Sequence, residues 1–213
     1  LSEVSIVSAK AAHTLSSNVF SKMKENQKDI TVGVTDENNR LQYQWKFNSD
    51  TITQPDMDID LTISFDTDRE NEVKEITGRD DLMYLSFSHH GALPGPATIK
   101  TYVGNKYKDG DIVYLYYFNE EQNRVESVGG VNKGLVVKDG YVEYTITHCS
   151  LYFLSQDTAD NNGQVADVAD TANDSAATGD TTRVFLYVLE TLMAAVLVAG
   201  LVVADVKKNR INR

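Results

Sequence analysis

The chain has 213 residues and a formal charge of −11. That length suits one domain of ordinary size with extra segments, and so acidic a surface repels phosphate backbones, which argues against nucleic-acid binding. One cysteine, Cys149, excludes an intrachain disulfide.

Taken in order, Leu1 to Ala12 carries S-I-V-S-A, which suits a strand. Ser16 or Ser17 can cap a short helix over Asn18 to Asn26. Val19, Phe20 and Met23 form its apolar side, and Lys22, Lys24 and Glu25 its wet side. The period then switches to two. Ile30, Val32 and Val34 alternate with Thr31, Gly33 and Thr35. After the turn D-E-N-N-R, Leu41, Tyr43, Trp45 and Phe47 alternate with polar residues. This predicts a hairpin with Trp45 as a core anchor.

Leu61, Ile63 and Phe65 predict another half-buried strand, and Asp68 to Thr77 a short helix or loop. Met83, Leu85 and Phe87 continue the alternation. G-A-L-P-G-P, Gly91 to Pro96, predicts a break before a strand over Ala97 to Val103. Ile112 to Phe118, Val125 to Val128, Leu135 to Val137 and Tyr141 to Ile146 follow, separated by turn residues. Eight or nine short strands with regular turn signals predict a mainly β fold, an antiparallel sandwich, with one or two short helices. Residues 1–155 form this module.

Residues 156–183 contain no aromatic residue, and Val165 and Val168 are their larger aliphatics. Such a segment cannot offset the entropy of ordering, so it reads as a disordered acidic linker. Val184 to Ala204 is a 21-residue run that is almost wholly apolar. At about 1.5 Å per residue it spans roughly 30 Å, the thickness of a bilayer core. Glu190 opposes insertion by roughly 2.5–3.5 kcal/mol at most. The rest of the run outweighs it, which predicts a single transmembrane helix. Residues 205–213 carry Lys207, Lys208, Arg210 and Arg213 and predict a basic cytoplasmic tail.

A-T-G-D, an apolar run and a basic end, in that order, resemble the C-terminal sorting signals of Firmicute cell-surface proteins. The resemblance implies anchoring to the wall or membrane of a Gram-positive bacterium, with the N-terminal part outside. It implies a sortase that cuts after Thr178, before Gly179, and peptidoglycan as the acceptor. Ser175 and Ala176 stand where the L-P-x-T-G pattern has Leu and Pro. The chain begins at Leu1 without an export signal, so it reads as the C-terminal piece of a longer precursor. The stretches L-P-G-P-A-T-I-K-T-Y-V-G and K-D-G-D-I-V-Y-L-Y-Y-F-N look like a module of clostridial surface proteins.

His148, Cys149 and Ser150 close the last predicted strand, with His148 in phase with Val142, Tyr144 and Ile146. I-T-H-C-S-L-Y-F-L resembles the last strand of GAIN domains and related self-cleaving β-sandwiches. That resemblance implies His148 as base and Ser150 as nucleophile, with scission between Cys149 and Ser150. The chemistry needs a strained peptide and a placed base. The alternative makes both residues ordinary members of a strand.

Asp56, Asp58 and Asp60 are candidate metal ligands. An EF-hand loop needs Gly at its sixth position and Glu at its twelfth; counted from Asp56 these are Leu61 and Thr67. His89 and His90 are adjacent, so a strand sends them to opposite faces. The sequence therefore names no metal and no cofactor. Tyr114, Tyr116, Tyr117 and Phe118 form an aromatic stripe, suited to core packing or, if exposed, to carbohydrate. Three functions remain: a non-enzymatic stalk, spacer or adhesive module, a self-cleaving sandwich, and a carbohydrate-binding module.

Overall fold

Alternation along Leu41–Phe47 gives a strand with one dry face, and its partner is the alternating run Ile30–Thr35. They pair antiparallel from Ile30↔Phe47 to Thr35↔Leu41. The computed structural model describes residues 4–8, 14–130, 133–159 and 165–166. In chain order they form β1 (Val4–Ser8), β2 (Thr14–Leu15), α1 (Ser17–Asn26), β3 (Ile30–Thr35) and β4 (Leu41–Phe47). Next come β5 (Ile59–Asp60), β6 (Ile63–Ser64), α2 (Glu70–Thr77) and the long β7 (Met83–Tyr102). Then follow β8 (Ile112–Asn119), β9 (Arg124–Ser127), β10 (Gly134–Val136), β11 (Tyr141–Ser155), β12 (Thr158–Ala159) and β13 (Val165–Ala166). The described chain is mainly β, with two short α-helices.

Among the described residues, the main sheet runs β1-β3-β4-β7-β11-β8-β10, with β6 on β7 and β9 on β8. It is not purely antiparallel. β1 pairs parallel with β3, from Val4↔Ile30 to Ser8↔Val34. The connection between them contains α1, and a parallel pair needs such a crossover.

The expected break at Gly91–Pro96 is absent. β7 passes through it and pairs with β11 from Tyr102↔Tyr141 to Met83↔Leu154. The register shifts twice, so Leu93 to Pro96 face Thr147 alone and Phe87 to His90 face Ser150 alone. Prolines are tolerated inside a sheet where a bulge removes the need for their missing N–H. The bulge also serves a neighbour: Pro94 O accepts hydrogen bonds from Thr53 N at 2.8 Å and Gln54 N at 3.0 Å. At Gly95 a Cβ would collide with the Thr51 carbonyl oxygen, so the close approach requires glycine.

The strand expected around Leu61–Phe65 is two short pieces. Asp60 Oδ1 accepts from Thr62 N at 2.9 Å, and this local turn separates β5 from β6. The helix expected from Asn18 starts at Ser17. Ser16 occupies the cap position without using its side chain. Asp58 Oδ1 accepts from Ser17 N at 2.7 Å and caps the helix from a distant loop. The charged stretch after Asp68 is α2. Glu70 and Glu72 stand in its first turn and Lys74 in its last, matching the helix dipole, and Gly78 closes it at φ 68°.

The core divides into two clusters. The larger holds Trp45, which is stacked on Phe47 at 5.8 Å and edge-on to Phe87 at 5.4 Å. Its indole N–H donates to Leu61 O at 2.9 Å, so the ring is buried with its one polar atom satisfied. The smaller cluster packs Val73 of α2 against Tyr84, Tyr116, Phe118, Leu151 and Phe153. α2 thus covers a second face of the sheet.

The chain past Ser155 also departs from expectation. Asp157 is buried and paired with Arg79. Tyr116 Oη donates to Asp157 O at 3.2 Å. β12 pairs with β13, Thr158↔Ala166 and Ala159↔Val165. The rest of 156–183, the run 184–204 and the tail 205–213 lie outside the described residues, as does the disordered-linker expectation for them.

Candidate functional site

The first register shift of β11, between Ile146 and His148, lies at the start of the H-C-S triplet. It breaks the phase that the sequence implied. Val142, Tyr144 and Ile146 face the core, but the next buried residue is Cys149, and His148 is half-buried. The bulge inserts one unpaired position at Thr147 and reverses which side chains point inward.

His148 is held by two tyrosines. Tyr152 Oη donates to the His148 carbonyl at 2.7 Å and lies 3.3 Å from its Nε2. The Tyr117 ring meets the imidazole edge-on at 5.0 Å. Burial pushes the Tyr152 phenol well up, so it stays protonated and remains a donor. From Tyr117 the polar contacts run outward. Asn119 Nδ2 donates to Tyr117 Oη at 3.0 Å and to Glu126 Oε1 at 2.9 Å, and Arg124 Nε donates to Glu126 Oε1 at 2.8 Å. Burial pushes Glu126 up, but the Asn119 and Arg124 donors outweigh it and hold the carboxyl below its ordinary value.

Scission at Cys149–Ser150 needs the Ser150 hydroxyl to lose its proton and reach the Cys149 carbonyl carbon. Ser150 Oγ instead donates to Phe118 O at 3.4 Å. Among the described residues no hydrogen bond joins His148 to Ser150. Among the described residues the non-glycine positions with left-handed φ are Gln27, Asn39, Asn123 and Asp139, all in turns or at a helix end rather than at this peptide. Cys149 is 3% exposed, and burial pushes its thiol up to about 12. It is a protonated, packed side chain at neutral pH.

The other candidates disperse. Asp58 caps α1 and Asp60 builds its own turn, while Asp56 is exposed. His89 Nε2 lies 3.1 Å from Ala92 O, and His90 is exposed. Among the described residues no three His, Cys, Asp or Glu side chains converge as a metal site. The stripe of β8 is divided between the two faces of the sheet. Tyr116 and Phe118 are 1% exposed in the smaller cluster, Tyr114 packs against that cluster, and Tyr117 packs against the larger one. The carbohydrate reading therefore loses the exposed platform it required.

Thr178, Gly179, Ser175, Ala176 and the run Val184 to Ala204 lie outside the described residues. Among the described residues no helix is long and apolar enough to cross a membrane.

Two features had no sequence signal. Arg40 lies over the Tyr102 ring at 4.0 Å and Lys100 over Tyr141 at 4.7 Å, on a wet face of the sheet. A groove of about 440 Å³ opens between α1 and the start of β1 and β3. Both depend on pairings between distant segments. An unbroken Lys22-x-Lys24 pattern reads as a solvated helix face until β1 is placed beside it. No protein-family model, curated protein or solved structure matches this chain.

Proposed function

We propose that this is a non-enzymatic cell-surface module, a β-sandwich acting as a stalk, spacer or adhesive domain. A C-terminal sorting signal holds it to the wall or membrane of a Gram-positive bacterium. One observation carries the reading: an acidic segment with Thr178–Gly179, then the apolar run Val184 to Ala204, then Lys207, Lys208, Arg210 and Arg213. A bilayer core suits 21 such residues followed by a basic end. Sortase and peptidoglycan are the partners this order implies, and the module needs no cofactor. The roles of the candidate groups support the non-enzymatic part. Ser150 bonds a main-chain carbonyl, His148 is held by Tyr152, and the aspartates build caps and turns.

Protease treatment of intact cells tests the address. Added trypsin is expected to remove an epitope placed within residues 14–130 while a cytosolic marker survives. Peptidoglycan digestion should release a form ending at Thr178, with no break between Cys149 and Ser150 by mass. Recovery of the protein from the cytosol would sink the proposal. A chain split before Ser150, and made whole by Ser150→Ala, would replace it with self-processing.

A further inference from the structure

The two ends of the main sheet are unlike. β10 closes one end with three residues, and Lys133 and Lys138 flank it. A short edge with lysines nearby resists pairing with another chain. β1 closes the other end with five residues, V-S-I-V-S, in unbroken register with β3. It has no proline or bulge, and the lysine that follows it, Lys10, is two residues past its end. Among the described residues β3 is its one neighbour. Val4 N donates to Asp29 O at 3.1 Å. Alternation then turns the N–H and C=O of Ser5 and Val7 to the free side.

Beside this edge lies a groove lined by Val4, Val19, Met23 and Ile30 together with Lys22, Lys28, Asn26 and Asp29, whose carboxylate is taken up by Ser49 N and Oγ. Val4 is 44% exposed. The local charge is opposite to that of the molecule. Residues 1–29 hold four lysines and three acidic residues, in a chain whose total is −11. A second copy paired edge to edge would offer Lys22 and Lys28 no carboxylate from its own β1, V-S-I-V-S. An acidic strand meets the opposite situation: free main-chain groups to pair with, a pocket for one aliphatic side chain, and two ammonium groups for its carboxylates.

We propose that the free edge of β1, with the groove beside it, takes an extended acidic segment of a partner protein by strand addition. This does not depend on where the chain is anchored.

The test uses the full 213-residue chain and labelled peptides of alternating valine and aspartate, or valine and lysine, read by fluorescence anisotropy. The Val–Asp peptide is expected to bind and the Val–Lys peptide not to. Raising the salt should weaken binding on the order of tenfold. Ser5→Pro removes an outward donor but keeps the Val4–Asp29 bond; it should weaken binding on the order of tenfold at an unchanged Tm. The exposed pair Lys22→Glu and Lys28→Glu, whose folding does not rest on the edge, should invert the peptide preference. Binding of neither peptide, or equal binding of both, overturns the proposal. So does a concentration-dependent dimer that Ser5→Pro abolishes, because the occupant is then a second copy.

Discussion

β11 is one strand under two regimes. From Tyr141 to Ile146 buried and exposed residues alternate, and Thr98 and Thr145 face water together at 3.5 Å. From Leu151 to Ser155 every residue is buried. The difference comes from what covers the second face. Beyond the bulge, α2 brings Val73 against Phe153 and Leu151, so even and odd positions both enter a core. A strand's pattern thus reports its surroundings more than any preference of its own. The same division explains two aromatic pairs. Tyr102 and Tyr141 keep cations over their rings at the wet end, while Tyr116 stacks on Phe153 at 5.4 Å at the dry end.

Substitution at the two ends should separate the regimes. Phe153→Ala removes a fully buried ring and is expected to cost about 3–5 kcal/mol, a large share of a typical domain's stability. Thr145→Ala, on the same strand, should stay within about 0.5 kcal/mol. Urea unfolding monitored by Trp45 fluorescence measures both, and equal costs would break the comparison. Between the two ends, Gly95→Ala forces the β7 bulge away from the Thr51 carbonyl. It should cost about 1–3 kcal/mol on the same assay. A neutral result would mean that the bulge yields freely.

A further effect, absent at neutral pH, concerns the junction itself. Cys149 sits where the regimes meet, and its thiol is raised from 9.0 to about 12 by burial. A raised acid gives stability that is full below its unfolded value and is lost as pH rises through the folded one. Stability should therefore hold up to about pH 9 and fall between 9 and 12, less steeply in Cys149→Ala. Native Cys149 should also resist a thiol reagent at pH 8 and react on unfolding. Rapid native labelling would show that the bulge opens.

The sequence disclosed the one-sided strands best. Tyr43, Trp45 and Phe47 were readable because their alternate neighbours are wet, and the core follows from that contrast. Leu151 to Leu154 offered no such contrast, since α2 lies far away in the chain. Gly91–Pro96 reads as a break because turn residues signal local geometry. Nothing local reveals that β11 will run past them and bridge both bulges. His148 falls in phase with Ile146 for the same reason: one unpaired residue, Thr147, sends Cys149 inward in its place, and a second, Ser150, returns Tyr152 and Leu154 to the core that Ile146 faces. The remote capping of α1 by Asp58 is invisible without the fold, and Ser16 was the natural local choice.

The long β7·β11 pairing also sets an order in time. Tyr102 and Tyr141 are much nearer in the chain than Met83 and Leu154. Each doubling of a loop adds only about 0.6 kcal/mol to closure, yet the nearer contacts always come at the lower entropic cost. The two strands therefore close like a zip from the wet end. The bulges at Leu93–Pro96 and Phe87–His90 are the two places where that zip must skip residues before it can continue. On its other edge the dry end of β11 meets β8, whose Phe118 is nearer to Leu151 in the chain than Tyr102 is to Tyr141.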